Sequence, residues 1–364
     1  MPGCIVTCGE AQIDPAWDSL VAAVPGGGLA QTTAWAATRQ RIGRRVCHLR
    51  LSASDGTLLA GCLMQFRRLL PSIWIGVVPR GPLIFREEPG VAERMLREVL
   101  ASARRLGVRL LIVQPPEGST TLPEAMTALG FRHGSPDIAP AATIRIDLCR
   151  SEEEILRSAH ASRRRRIREA LRSGLECRSS DDVERFYSLY LTTTERQGFA
   201  PLGLDELKAQ WEILAPRGMC RIFIAKEGDV PLAGDWVTFF AGVVTSKLKG
   251  FDEARTSHAA RSATTASIWT CILQMRREGA RSFDFGGFDR KIAEDILAGR
   301  EPPPDFPRST SFFKWTFGGE ITLLPQSQFI FTDPLSRLAL AGITQRLLTS
   351  KAAKRLTQRV RAGR

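Results

Sequence analysis

The stretch "GVAERMLREVLASARRLGVRLLIVQP", residues 90–115, decides the fold. Apolar side chains recur at 91, 95, 96, 99, 100 and 103, which is the spacing of a helix with one buried face, and Gly107 ends it. The strand "VRLLIVQP" follows. The same order returns at 258–287 in "HAARSATTASIWTCILQMRREGARSFDFGG". Ahead of the first stretch come helices at Trp17–Ala23 and Gln31–Ile42 and the strands "VCHLRLSA", "TLLAGCLMQFRR" and "SIWIGVV". Ahead of the second come helices at 151–173, 181–197 and 204–214 and the strands "CRIFIAKEGD", "PLAGDWVTFFAG" and "VVTSKLKGFD". Each half reads helix, antiparallel strands, long helix, strand. That predicts an α+β protein with two mixed sheets, a duplicated topology without repeated residues, rather than a doubly wound parallel fold.

The bulk properties agree. The chain has 364 residues, 43% of them hydrophobic, enough for two cored domains. The longest apolar candidate, "LLPSIWIGVV" (69–78), is too short to span a bilayer, and no secretory leader is read at the start, so a cytoplasmic protein without integral membrane association is expected. The eight cysteines form no CxxC pair and the four histidines lie outside metal-ligand spacing, so neither a metal nor a disulfide framework is expected. The net charge of +13 suits a polyanionic partner, although an arginine-rich composition alone would also produce it.

The charge is concentrated. "SAHASRRRRIREALRSG" (158–174) carries Arg163, Arg164, Arg165, Arg166 and Arg168, with Ile155, Ala159, Ile167, Ala170 and Leu171 available for a buried side. Four successive arginines wrap a helix, so some must face outward, and phosphate is the natural counter-charge for them; a merely solvated face is the alternative. The tail from Asp333 reads as a capped amphipathic helix with a basic end, either docked or adding phosphate contacts.

"STSFFKWTFGGE" (309–320) gathers aromatic residues around one cation, Lys314. A lysine between apolar walls can stabilise developing negative charge; the alternative is a core with Lys314 reaching out to water. No GxSxG, Walker or GxGxxG signature is present, and the "DFG" at 284–286 lacks every other kinase element. Acetyl-CoA use would need a Gly-rich pyrophosphate loop, whereas "RRLGVR" (104–109) and "RREGAR" (276–281) place arginine where a small residue is required.

Seven segments in order, "QTTAWA" (31–36), "VVPRGPL" (77–83), "SRRRRIREALRSGL" (162–175), "FYSLYLTTTERQGF" (186–199), "PLAGDWVTFFAG" (231–242), "GARSFDFGGFD" (279–289) and "FFKWTFGGE" (312–320), make the chain resemble the Fem family of aminoacyl-tRNA-dependent transferases. The resemblance implies two GNAT-like domains, 1–148 with 326–364 and 149–325, with a C-terminal helix returning to the first. Only a short insert, 289–308, stands where some members carry a coiled-coil arm. It implies amide formation from aminoacyl-tRNA onto a primary amine of a peptide-like acceptor, by a monomer using no cofactor. Lys314 would stabilise charge at the reacting ends, with Phe313 or Trp315 stacking on the terminal adenine. The arginines at 163–166 and 168 would hold tRNA. Arg39, Thr194 and Arg196 fall where the family binds the acceptor's diphosphate and peptide.

Two departures stand out: Gln114 occupies a position usually acidic, and Lys247 and Lys249 replace tyrosines, implying a different or more anionic acceptor. The rival readings are an acyl-CoA N-acyltransferase on the same fold and a non-catalytic RNA-binding protein.

Overall fold

A computed structural model describes residues 5–70, 73–134, 137–252, 257 and 260–334. In chain order the first stretch comprises β1 (Ile5–Glu10), α1 (Pro15–Ala23), α2 (Thr33–Arg41), β2 (Val46–Ser52), β3 (Leu58–Leu70), β4 (Ile73–Pro79), β5 (Leu83–Ile84), α3 (Val91–Arg105), β6 (Val108–Gln114) and α4 (Thr121–Ala128). The second comprises β7 (Ala142–Asp147), α5 (Glu152–Ser158), α6 (Ala161–Arg172), β8 (Glu176–Ser180), α7 (Val183–Gln197), α8 (Leu204–Leu214), β9 (Cys220–Glu227), β10 (Val230–Phe240), β11 (Val243–Phe251), α9 (Ala260–Arg277), β12 (Ser282–Asp284), α10 (Arg290–Leu297), α11 (Thr310–Trp315) and β13 (Glu320–Leu323). The strand β14 (Gln328–Phe331) closes the described chain.

The chain forms two units, and the second runs from Pro140 to Leu324. The first unit's sheet has the order β1-β2-β3-β4-β6-β14, with β5 beside β3, and the second's is β13-β7-β12-β11-β10-β9-β8. Each contains one parallel pair, β4 with β6 and β11 with β12, joined by the long helices α3 and α9. Both sheets are thus mixed, as the order of elements in the sequence requires.

The apolar stripe of α3 is buried as its spacing predicts: Val91, Met95, Leu96, Val99, Leu100 and Ala103 pack against β2, β3 and β6. "QTTAWA" is structural. The fully buried Gln31 donates to Pro79 O (2.7 Å) and accepts from Leu63 N (2.8 Å), and Asp18 accepts from Thr33 N (2.6 Å). Gln114 is likewise a clamp. It donates to Pro325 O (2.8 Å) and accepts from Ala139 N (2.8 Å), needing both halves of the amide. β14 joins the first sheet next to β6. The expected C-terminal helix lies outside the described residues.

Two expectations change. The single helix at 151–173 is two helices, because Ala159 and His160 are extended and His160 N donates to Thr316 O (2.9 Å). β7 was expected in the first domain, but it pairs with β12 and β13, which brings the unit boundary forward to Ala139/Pro140. The 289–308 insert contains the helix α10. A β-bulge also interrupts β10–β11: Asp235 opposes Lys249, Trp236 opposes Leu248, and Val237 opposes Ser246, leaving Lys247 as the extra residue.

Candidate active site

The parallel pair β11–β12 is short, running from Val243↔Ser282 to Thr245↔Asp284. Beyond it the chain turns through Phe285, Gly286 and Gly287, while β11 continues to Phe251. The buried Asp284 carboxylate holds this turn, accepting from Thr143 Oγ1 (2.5 Å), Gly286 N (2.7 Å) and Arg145 Nε (3.0 Å). Held in this way, the turn presents two carbonyls to one cation: Lys314 Nζ donates to Gly286 O (3.2 Å) and Gly287 O (2.5 Å).

Lys314 arrives on α11, whose start is capped by Ser309 Oγ accepting from Phe312 N (3.0 Å). Its base is locked by Arg163. That guanidinium donates to Thr316 Oγ1 (3.0 Å) and Thr265 Oγ1 (2.8 Å) and lies 4.4 Å from the ring centres of both Phe313 and Phe317. Gly318 and Gly319, at φ +83° and +95°, end the helix where a Cβ would strike Ser158 O and Arg145 O.

A second polar group lies on β10 and β11. Asp235 is fully buried and accepts from Ser246 Oγ (2.7 Å), while Lys249 Nζ is 3.9 Å from its Oδ1 and donates to Ser246 Oγ. The bulge makes this possible. Residues 246 and 249 face the same side because they oppose Val237 and Asp235. Among the described residues Asp235 Oδ2 has no hydrogen-bond donor. Burial raises the Asp235 pKa, against the opposing pull of Lys249 and Ser246. The Lys314 ammonium is disfavoured first by burial and then by the Lys249 cation, which outweigh Asp284 and Asp235 and lower its pKa to about 7.

A cavity of about 640 Å³ adjoins α11. Arg145, Arg150, Arg281, His160 and Trp315 line it, with Gly318 in its wall. It offers guanidinium groups and one indole face together with the carboxylates of Asp147 and Glu320, so its lining is mixed in charge. Among the described residues no cluster could hold a metal ion, and no helix is long and apolar enough to cross a membrane.

The structure separates residues that the sequence groups together. Arg163 is turned inward and holds α11, so it is not a free phosphate contact; burial lowers its pKa to about 10. Arg164 points back, donating to Arg157 O (3.1 Å) and Ala159 O at the end of α5. Arg165 and Arg168 are exposed and Arg166 is half-buried, with Arg165 and Arg166 near Glu169 (3.5 and 3.8 Å). Leu171, expected to be buried, is 65% exposed.

Phe313 has Arg163 over its ring, which leaves Trp315 as the aromatic lining the cavity. Thr194 is buried and donates to Leu191 O (2.9 Å) of its own helix, a bond that occupies its hydroxyl. Arg39 is buried in the first unit, stacked 4.4 Å from the Trp35 ring centre, while Arg196 is exposed at the end of α7. Lys247 donates to Gln210 Oε1 (3.2 Å) on α8, away from Lys249, because the bulge breaks their i, i+2 relation. Asp235, Ser246 and Asp284 were not weighted as site residues from the sequence. The available signal was an acid inside each of two otherwise apolar strands, "PLAGDWV" and "SFDF".

Comparison with known proteins accords with this geometry. Residues 157–295 match the acetyltransferase (GNAT) domain family, and residues 16–205 match the FemAB family. The chain is 27% identical over 236 residues to a lipid II:glycine glycyltransferase of Staphylococcus haemolyticus, covering 60% of this chain and 55% of that one. A counterpart from Staphylococcus saprophyticus is 24% identical over 237 residues, covering 61% and 56%. The chain therefore spans about half the length of the curated relatives it matches. Among solved structures, FemX superposes with a TM-score of 0.73 at 17% identity, over 93% of this chain and all of that one. A tandem GNAT protein from the clavulanic acid biosynthesis pathway superposes with a TM-score of 0.56 at 12% identity, over 91% and 99%. These likenesses establish the fold as two GNAT-like units, and the match over more than half its length means that the chain belongs to the FemAB family.

Proposed function

We propose that the chain is an aminoacyltransferase that moves an amino acid from aminoacyl-tRNA to a primary amine of a peptide-like acceptor, forming an amide. The observation that carries this is Lys314, held on two main-chain carbonyls in a FemAB-family chain whose relatives are named lipid II:glycine glycyltransferases. Attack of an amine on an aminoacyl ester builds negative charge on the carbonyl oxygen and then on the departing ribose oxygen. A cation fixed beside the reacting ester stabilises both. The reaction needs no ATP, because the ester is already activated.

The cavity beside α11 fits the donor's 3′ end, with Trp315 for a base and Arg150 and Arg281 for phosphate. Exposed Arg165 and Arg168, with half-buried Arg166, extend the basic surface along α6. Arg196 and Lys249 remain as acceptor contacts. Arg39 and Thr194, buried and engaged, are structural in this reading. A tRNA donor places the reaction in the cytoplasm.

One observation favours a second reading, an acyl-CoA-dependent N-acyltransferase: residues 157–295 match the GNAT domain family. Against it, no Gly-rich pyrophosphate loop follows a strand. A transfer assay decides between them. Purified protein is offered radiolabelled aminoacyl-tRNAs and a pool of small peptide amines. Label entering an RNase-resistant, base-stable product, and lost in Lys314→Ala, is expected. Turnover of acyl-CoA with no transfer from any charged tRNA would overturn the assignment.

A further inference from the structure

We propose that one end of the first unit's sheet, where β2, β4 and β6 begin, is a docking surface for an anionic lipid bilayer. Arg45, Arg68, Arg104 and Arg105 meet the headgroup phosphates there, around the indole of Trp74. The proposal goes beyond the transferase reading and does not depend on the identity of the donor.

The register puts these residues together. Val46 at the start of β2 opposes Gln65, and Trp74 of β4 lies between Arg68 of β3 and Val108 of β6. The turn into β2, the end of β3 and the starts of β4 and β6 therefore share one end of the sheet. The helix α3 crosses over and finishes at the same end. Arg104 and Arg105 are its last two residues, and only Leu106 and Gly107 separate them from β6. All four arginines are exposed, while Trp74 and Leu106 are half-buried. The segment "RRLGVR", whose arginines suit no pyrophosphate loop, is thus one side of a basic surface.

The arginines are held in place. The Arg45 guanidinium lies 4.7 Å from the Phe66 ring centre and 5.3 Å from that of Trp74, and Arg68 lies 5.8 Å from Trp74. Arg104 Nε donates to Thr332 O (2.6 Å), and Arg105 donates to Ser102 Oγ (3.0 Å). Acids on the adjoining elements are engaged elsewhere. Glu93 and Glu98 pair with Arg97 and Arg94 of their own helix (2.5 and 3.0 Å), and Asp333 pairs with Arg109 (3.0 Å). Among the described residues no carboxylate forms an ion pair with Arg45, Arg104 or Arg105. Glu10, which ends β1, is the exposed acid at the border of this end. The helix dipole favours cations at the close of α3, but it does not account for Arg45 and Arg68, which come from a turn and a strand. Exposed acids gather at the opposite end of the sheet, with Asp55 between β2 and β3 and Glu87 and Glu88 ahead of α3. A unit polarised in this way turns its basic end to an anionic surface.

The indole decides between a bilayer and a nucleic acid. Both Arg45 and Arg68 stack on Trp74, so its ring is not offered to a base. What remains is a half-buried indole and Leu106 among guanidinium groups, all at one level of a single sheet. Apolar bodies with charged tips arranged on a level suit the headgroup region of a membrane.

Flotation of the full chain with lipid vesicles tests this. Binding to phosphatidylcholine vesicles containing about 30% phosphatidylglycerol is expected, with none to pure phosphatidylcholine and a steep loss as salt rises. Arg104→Gln/Arg105→Gln should weaken partitioning by about 10-fold or more, and adding Arg45→Gln by about five-fold again. Arg104→Lys/Arg105→Lys should retain it, because the surface is read as charge. Both double variants should keep the wild-type melting temperature and the wild-type rate with a soluble acceptor. An absence of binding to the anionic vesicles, or binding that Arg104→Gln/Arg105→Gln leaves intact, would overturn the proposal. If that variant instead lost affinity for uncharged tRNA while still floating with the vesicles, the surface would belong to RNA. Vesicle binding that follows these arginines without transfer from any charged tRNA would overturn the donor assignment alone.

Discussion

The two parallel strand pairs show how one topology yields a closed core in one unit and a polar site in the other. In the first unit β4 and β6 stay paired from Trp74↔Val108 to Pro79↔Gln114, flanked by Met64, Val78 and Val113. The pair ends on an amide whose two ends are both satisfied. In the second unit β11 and β12 part after Thr245↔Asp284, and the acid at the end of β12 organises a glycine turn that receives a lysine. The difference lies in a few residues. Where "LLIVQPP" continues a strand, "SFDFGG" leaves it, because Gly286 takes φ +65° and a Cβ at that position would crowd Ser246 O.

If chemistry resides only where the strands part, Lys314→Ala should cost about 10²-fold or more in transfer rate with the fold intact, and Gln114→Ala should cost about 1–3 kcal/mol of stability while the folded fraction keeps its activity. The opposite pattern, measured by kinetics and chemical denaturation together, would break the contrast. Arg163→Met should also destabilise, by about 1–3 kcal/mol, since it removes the donors to Thr265 Oγ1 and Thr316 Oγ1 and uncovers Phe313 and Phe317; Arg168→Gln should leave the melting temperature alone and weaken RNA binding only at low salt.

The units should also differ in their titrations. Lys314 has its pKa depressed from 10.5 in the unfolded chain to about 7 in the fold. Its full contribution to stability is present above pH 10.5, declines as pH falls and is lost by pH 7. Lys314→Met should therefore raise the melting temperature near pH 7, with the gain vanishing towards pH 10. His48 in the first unit is buried beside Trp17 and near the Arg50 cation, which lower its pKa to about 4. Its contribution is present above pH 6.5 and lost towards pH 4. His48→Gln should accordingly flatten stability between pH 6.5 and 4 without touching the alkaline window. The smallest effect is expected from Arg165→Gln, an exposed side chain whose half-buried partner Glu169 is 3.5 Å away: within about 0.5 kcal/mol in stability and a few-fold in donor KM.

Much of the architecture is legible because it is local. The stripe of α3, its stop at Gly107 and the caps of α1 and α5 are written in neighbouring residues, and the order of elements alone implies one parallel pair per half. Sheet membership is not local. Residues 142–147 fall inside the first domain as the resemblance bounds it, and only the pairing of β7 with β12 and β13 assigns them to the second. The break at Ala159–His160 is hidden for the same reason, since helix-forming residues flank it and the bond that opens it goes to Thr316. In the site, Lys314 stands out by its aromatic company. Asp235 looks ordinary until burial removes every donor from one of its oxygens, and Arg163 cannot be told from Arg165 by residue type, only by where α6 turns it.

The bulge at Lys247 bears on ancestry. Ser246 and Lys249 face Asp235 because of the residues opposite them, and Lys247 is surplus to that arrangement. Removing it would leave Ser246 across from Val237 and Lys249 across from Asp235, so a kindred chain one residue shorter here can present the same pair. Against such a chain, a column-by-column comparison without a gap at Lys247 would match Lys249 with a residue that faces the other way.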